Sequence, residues 1–117
     1  MTGLMFLDDL RNPVDVSWVS MPSYTNSDWA IVRSYDEAVV HVLSHGWPEF
    51  IAFDHDLGDV DSGKPEKTGY DFARWLIEYD LDGNTMPDNF KFVVHSMNHI
   101  GGKRITALFE NYFKERD

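Results

Sequence analysis

The stretch Phe50-Ile51-Ala52-Phe53-Asp54-His55-Asp56-Leu57-Gly58 decides how this chain is read. Four apolar residues stand in a row without polar alternation, the mark of a strand covered on both faces. The run stops abruptly at two Asp flanking a His. Strands of that kind belong to parallel sheets, and open parallel sheets bind ligands beyond the carboxyl ends of their strands. One stretch therefore gives both a strand boundary and a candidate site.

The same form recurs outward from it. Leu4 to Leu7 is a short apolar run broken by Asp8-Asp9 and then Asn12-Pro13. Trp29 to Val32 is another, and Phe90 to Val94 ends at His95-Ser96-Met97-Asn98. Amphipathic stretches lie between. Ser34 followed by Glu37 reads as a capping box, with Ala38, Val39, Val42 and Leu43 on one helix face. Gly46 ends that helix, and Pro48 keeps it from resuming. Thr68 and Asp71 form a second cap pair ahead of Phe72, Ala73, Leu76 and Ile77. Ile105, Leu108, Phe109, Tyr112 and Phe113 mark a last helix. Residues 58–69 read as a polar, Gly-containing loop. Residues 12–28 hold two Pro, five Ser or Thr and two aromatics without a helical period, and are expected to form an ordered loop. After that first connection strands alternate with helices. The expectation is an α/β fold, one domain over residues 1–117, with a mainly parallel four-stranded sheet and right-handed crossovers.

Composition narrows the function. The 117 residues carry 20 Asp and Glu against 10 Lys and Arg, a formal charge of −10. That balance opposes duplex DNA and anionic membranes, both of which need a basic face. Disorder is excluded by 43% hydrophobic and 15% aromatic residues. With no Cys, disulfides, zinc-thiolate sites and cysteine nucleophiles are absent. The start MTGLMFLDDLRNP lacks a basic n-region, and no apolar run reaches the ~20 residues that span a bilayer. A soluble, cytoplasmic protein is expected. Asp outnumbers Glu by 14 to 6, and Asp favours caps, turns and metal sites.

Three strand ends carry chemically able residues. Asp8, Asp9, Asp54 and Asp56 would converge on one rim if their strands are neighbours. Carboxylates that close need a cation or added protons. A hard divalent ion, Mg²⁺ or Mn²⁺, fits them. For any one Asp the competing reading is a plain turn or cap residue. His55 and His95 at the same rim suit general acid–base work. His41, His45 and His99 read as surface or helix residues. Lys103 and Arg104 follow Gly101-Gly102 at the last helix's start, where cations oppose the macrodipole unless an anion binds beside Asn98. Trp18, Tyr24 and Trp29 read as core or loop packing, or as walls for a base. Three motifs fail. Asp59-Val60-Asp61-Ser62-Gly63 has its Gly one position early for an EF-hand and Tyr70 where a bidentate Glu is required. His55-Asp56 is not on a helix, as an HD phosphohydrolase requires, and no P-loop occurs.

These residues resemble a response-regulator receiver domain, a flavodoxin-like three-layer sandwich. Asp8-Asp9 resembles its acidic metal pair, Asp54-x-x-Leu57 with Gly69-Tyr70-Asp71 its phosphoacceptor strand and loop, and Ser96 its Ser or Thr. The fifth strand-helix unit and its Lys have no counterpart here. A closer resemblance is to the cyclic-phosphate-processing receiver-like family of bacteria and phages. It is carried by Leu7-Asp8-Asp9-x-Arg11-x-Pro13, Asp54-His55-Asp56-Leu57-Gly58, Thr68-Gly69-Tyr70-Asp71 and His95-Ser96-x-Asn98-x-x-Gly101 over nearly the whole chain. The resemblance implies action on a small cyclic nucleotide or an RNA 2′,3′-cyclic phosphate end, and with the acidic rim it leads to the expectation of metal-dependent hydrolysis. Asp8, Asp9, Asp54 and Asp56 would hold the metal. Asp54, His55 and His95 would be catalytic, and Arg11, Ser96, Asn98, Lys103 and Arg104 would grip the phosphate. Two alternatives remain open: a phosphoryl-accepting signal domain with Asp54 as acceptor, and a non-enzymatic module binding a host or partner protein or a nucleotide.

Overall fold

The computed structural model describes residues 3–9, 11–12, 15, 29–54, 67–83, 86–95 and 99–116. Seven elements follow in order: β1 (Leu4–Leu7), β2 (Trp29–Val32), α1 (Tyr35–His45), β3 (Phe50–Phe53), α2 (Gly69–Leu81), β4 (Lys91–Val94) and α3 (His99–Arg116). Each apolar run became a strand, although β4 begins one residue later than expected. The sheet is parallel throughout, in the order β2-β1-β3-β4. The chain leaves β1 in one direction and returns past it to β3. The switch in strand order therefore falls between β1 and β3, where an open α/β sheet places its ligand crevice.

The crossovers through α1 and α2 run the same way across the sheet. Right-handed connections then put both helices on one face. Met5, Leu7, Ile51 and Phe53 pack there against Ala38 and Val42 of α1, Phe72 and Leu76 of α2, and Ile105 and Phe109 of α3. The Phe53 ring meets Phe72 and Phe109 at centroid separations of 6.1 and 5.5 Å. Alternate strand residues turn to the second face, where Phe6, Trp29 and Ala52 form a smaller buried cluster with Leu4, Phe50 and Val93. Trp29 is therefore a core residue. The described residues contain two of the three expected layers. No helix among them is long and apolar enough to cross a membrane.

The helix ends follow their capping chemistry with one change. Thr68 and Asp71 form the full reciprocal box. The Asp71 N–H donates to the Thr68 hydroxyl at 3.2 Å, and the Thr68 N–H to the Asp71 carboxylate at 2.8 Å. At α1 the Ser34 hydroxyl accepts the Glu37 N–H at 3.1 Å, but the Glu37 carboxylate accepts from Arg33 at 2.9 Å instead of from Ser34. The expected box is displaced by one residue. Gly46 closes α1 at φ +92°, a backbone conformation that L side chains rarely adopt.

The α1 face also differs from expectation. Ala38 and Val42 are buried, Val39 is half-buried, and Leu43 is 60% exposed. Leu43 lies about 100° around the helix from Val42, beyond the stripe that meets the sheet. This facing is directly testable. Leu76→Ala should lower unfolding free energy by about 2–5 kcal/mol, whereas Leu43→Ala should change it by no more than about 0.5 kcal/mol. Denaturant titration of both variants measures the contrast.

Candidate functional site

The sheet's register assembles the site. Leu7 pairs with Val32 on one side and Phe53 on the other, and Phe53 pairs with Val94. The ladder then runs one residue past each strand. The Asp8 N–H donates to the Val32 carbonyl at 3.1 Å, the Asp54 N–H to Leu7 at 2.9 Å, and the His95 N–H to Phe53 at 2.8 Å. Arg33, Asp8, Asp54 and His95 thus form one row across the four strands. Because side chains alternate, Asp8, Asp54 and His95 fall on the face of Phe6 and Ala52, away from the main helix-covered core.

Asp8, Asp54 and His95 each offer a ligand atom, and these atoms lie within 4.8 Å of one another. All three residues are buried, at 1%, 8% and 1% exposure. Asp8 uses its two oxygens differently. Oδ1 accepts the Arg11 backbone N–H at 2.8 Å, while Oδ2 lies 3.0 Å from His95 Nε2. An ionised carboxylate only accepts, so Nε2 donates, and a neutral ring then carries its lone pair on Nδ1. That Nδ1 is buried and has no hydrogen-bond partner among the described residues. Phe6 stacks on the imidazole, with centroids 4.6 Å apart and 3° between planes. The register puts Ala52 between Phe6 and Val93, and its single methyl leaves the Phe6 ring room to reach His95.

Charge around the rim is held by backbone and by arginine. Burial, and then the neighbouring Asp8, raise the Asp9 carboxyl above its ordinary value, while Arg11 and Arg33 oppose the rise. Sequence reasoning missed Arg33. Its Nη1 donates to the Asp8 carbonyl at 3.2 Å and also to the Arg11 carbonyl, and Nη2 donates to Asn12 Oδ1 at 2.7 Å. The guanidinium fastens the turn that carries Asp8, Asp9 and Arg11. Its available signal was position, since Arg33 follows Val32 as Asp8 follows Leu7.

The other expected site residues divide into three groups. Asp9 and Arg11 are half-buried on the rim, and Asp9 is not in the three-residue cluster. Lys103 and Arg104 are exposed early in α3, where the Arg104 guanidinium lies 4.5 Å over the Tyr70 ring. His55, Asp56, Ser96 and Asn98 lie outside the described residues, as do Trp18 and Tyr24. Gly102 has a packing reason of its own. A Cβ there would come within 3.1 Å of Val94 Cγ1, so glycine lets α3 press against the strand that ends in His95.

Comparison with known proteins agrees with this geometry. A family model described as the cyclic-phosphate processing receiver domain matches residues 4–111. No curated protein and no solved structure matches the chain.

Two outcomes follow from the rim. Arg33→Lys keeps the charge but loses the fork, and should cost about 1–2 kcal/mol in denaturant unfolding. Asp9→Asn should act in the opposite sense. A carboxyl whose folded pKa is raised contributes stability below its ordinary pKa and loses it as pH rises through the folded value. In metal-free buffer Asp9→Asn should therefore melt higher than wild type at neutral pH, and the gain should vanish below about pH 4. Melting curves across that range check the sign.

Proposed function

Because the chain belongs to the cyclic-phosphate processing receiver domain family, we propose that its strand rim opens a cyclic phosphate by metal-assisted hydrolysis. The convergence of buried Asp8, Asp54 and His95 supports this reading more than any other observation. Two carboxylates and an imidazole with an orphaned nitrogen form a donor set that suits a divalent ion. If His95 is a ligand, the mixed oxygen and nitrogen set favours Mn²⁺. If His95 stays with Asp8, the remaining oxygens favour Mg²⁺. Asp9 and Asp56 would add carboxylates to the same rim. When bound, such an ion supplies Lewis-acid polarisation of a phosphoryl oxygen and neutralises charge.

The chain's own residues have distinct tasks. Asp8 fixes the His95 ring through Nε2, and Phe6 walls its face. Where His95 stays off the ion, its Nδ1 would accept a proton from the attacking water, which forms the new P–O bond. As the ring P–O bond breaks, the leaving oxygen takes up a proton from His95. His55 would assist as a second proton carrier. Arg11, Lys103 and Arg104, with Ser96 and Asn98, would hold the phosphate oxygens. A formal charge of −10 repels long polyanions, so a small cyclic nucleotide or a 2′,3′-cyclic RNA end suits the rim better than a duplex.

The assay offers cyclic mononucleotides, cyclic dinucleotides and 2′,3′-cyclic RNA ends with Mn²⁺, Mg²⁺ or EDTA. Ring opening should need the ion and should fall by about 100-fold or more in Asp54→Asn and in His95→Gln, with melting temperatures retained. Wild-type rates in both variants would reject the assignment. Phosphoryl transfer to Asp54 from acetyl phosphate, seen as added intact mass without ring opening, would identify a signalling domain instead.

A further inference from the structure

The helix α1 carries a second pair of imidazoles that the proposed reaction does not use. We propose that His41 and His45 form a separate binding site for a late first-row divalent cation, with Zn²⁺ as the reference ion. The residues stand one helical turn apart in His41-Val42-Leu43-Ser44-His45, the i, i+4 spacing that brings two side chains together on one face. Their rings lie with centroids 4.6 Å apart and 23° between planes. His45 Nδ1 lies 3.3 Å from the His41 carbonyl oxygen. In a neutral ring that contact makes Nδ1–H the donor and leaves the lone pair on Nε2. A hydrogen bond to one ring nitrogen fixes the tautomer in which the other ligates metal.

The surroundings suit a cation. The two rings line a groove of about 440 Å³ together with Asp36, Glu37 and Ser44. Val32 and Val40 make the rest of its lining apolar, and of its two carboxylates Glu37 already accepts the Arg33 N–H with one oxygen. Burial, and then the His45 ring, hold His41 below its usual pKa, so it stays neutral at pH 7, as a ligand must. Imidazole donors select Zn²⁺, Cu²⁺ and Ni²⁺ over Mg²⁺, which sets this pair apart from the carboxylate-rich rim. The chelate gains from linkage, because the helix presents the second ring at high effective concentration once the first is bound.

The test uses the full, untagged chain. Zn²⁺ titration by calorimetry and retention on immobilised Ni²⁺ are compared for wild type, His41→Ala, His45→Gln, His99→Ala and Asp54→Asn. His99 is an exposed histidine on α3 and serves as the single-ring control. Wild type, His99→Ala and Asp54→Asn should be retained. His41→Ala and His45→Gln should pass through, with Zn²⁺ affinity reduced about tenfold or more and circular dichroism unchanged. Zn²⁺ should also shift the ring-nitrogen NMR signals of His41 and His45 together. Undiminished Zn²⁺ binding in His41→Ala and His45→Gln overturns the proposal. So does loss of all Zn²⁺ binding in Asp54→Asn, which would place the ion at the rim. Neither result bears on cyclic-phosphate turnover.

Discussion

The structure depends on one constraint, a parallel register that holds for one residue beyond the strands. The hydrogen bonds from Asp8, Asp54 and His95 to the neighbouring strands fix where each strand's last side chain points. A one-residue slip in any strand would carry its apolar set to the wrong face. It would send Leu7, Phe53 or Val94 out of the helix-covered core and draw a carboxylate or imidazole into it. Core and candidate site are therefore specified together. The apolar runs that drive burial also set the row in which the polar residues meet.

That row brings buried carboxylates together on one rim. Asp8 and Asp54 are buried beside each other, with Asp9 close by. Arg33 faces the turn through backbone carbonyls and Asn12, and its charge helps the rim. The His95 ring gives one N–H to Asp8 and leaves its second nitrogen orphaned. Carboxylates buried this close together are a pair that a divalent ion would stabilise.

Much of this was legible in the sequence, because the strands read as unbroken apolar runs and the helices opened on cap pairs. Phe50 to Phe53 carried the mark of a strand buried on both faces, and Gly46 before Pro48 that of a helix end. What escaped depended on contacts between distant segments. The partner of Asp8 is His95, across the intervening β3 strand, and no local pattern encodes strand order. Arg33 gave no motif because its role is to hold carbonyls, which any sequence supplies. Leu43 was misplaced because an i, i+1, i+4, i+5 pattern fits two adjacent faces, and only the sheet's position selects between them.

Asp8 shows why the turn reading and the site reading were never true alternatives. Its Oδ1 performs the ordinary task of an Asp at a strand end and caps the Arg11 N–H. That bond fixes the side-chain torsions, and Oδ2 is then aimed at His95 with little entropy left to lose. Preorganisation of this kind is what a metal or phosphate site requires. Phe6 and Ala52 act alike on the imidazole, one by stacking on it and the other by being small enough to permit the stack. The candidate site at the rim is therefore supported by residues that would be classed as turn and core, and its few carboxylates stand out by position, not by charge.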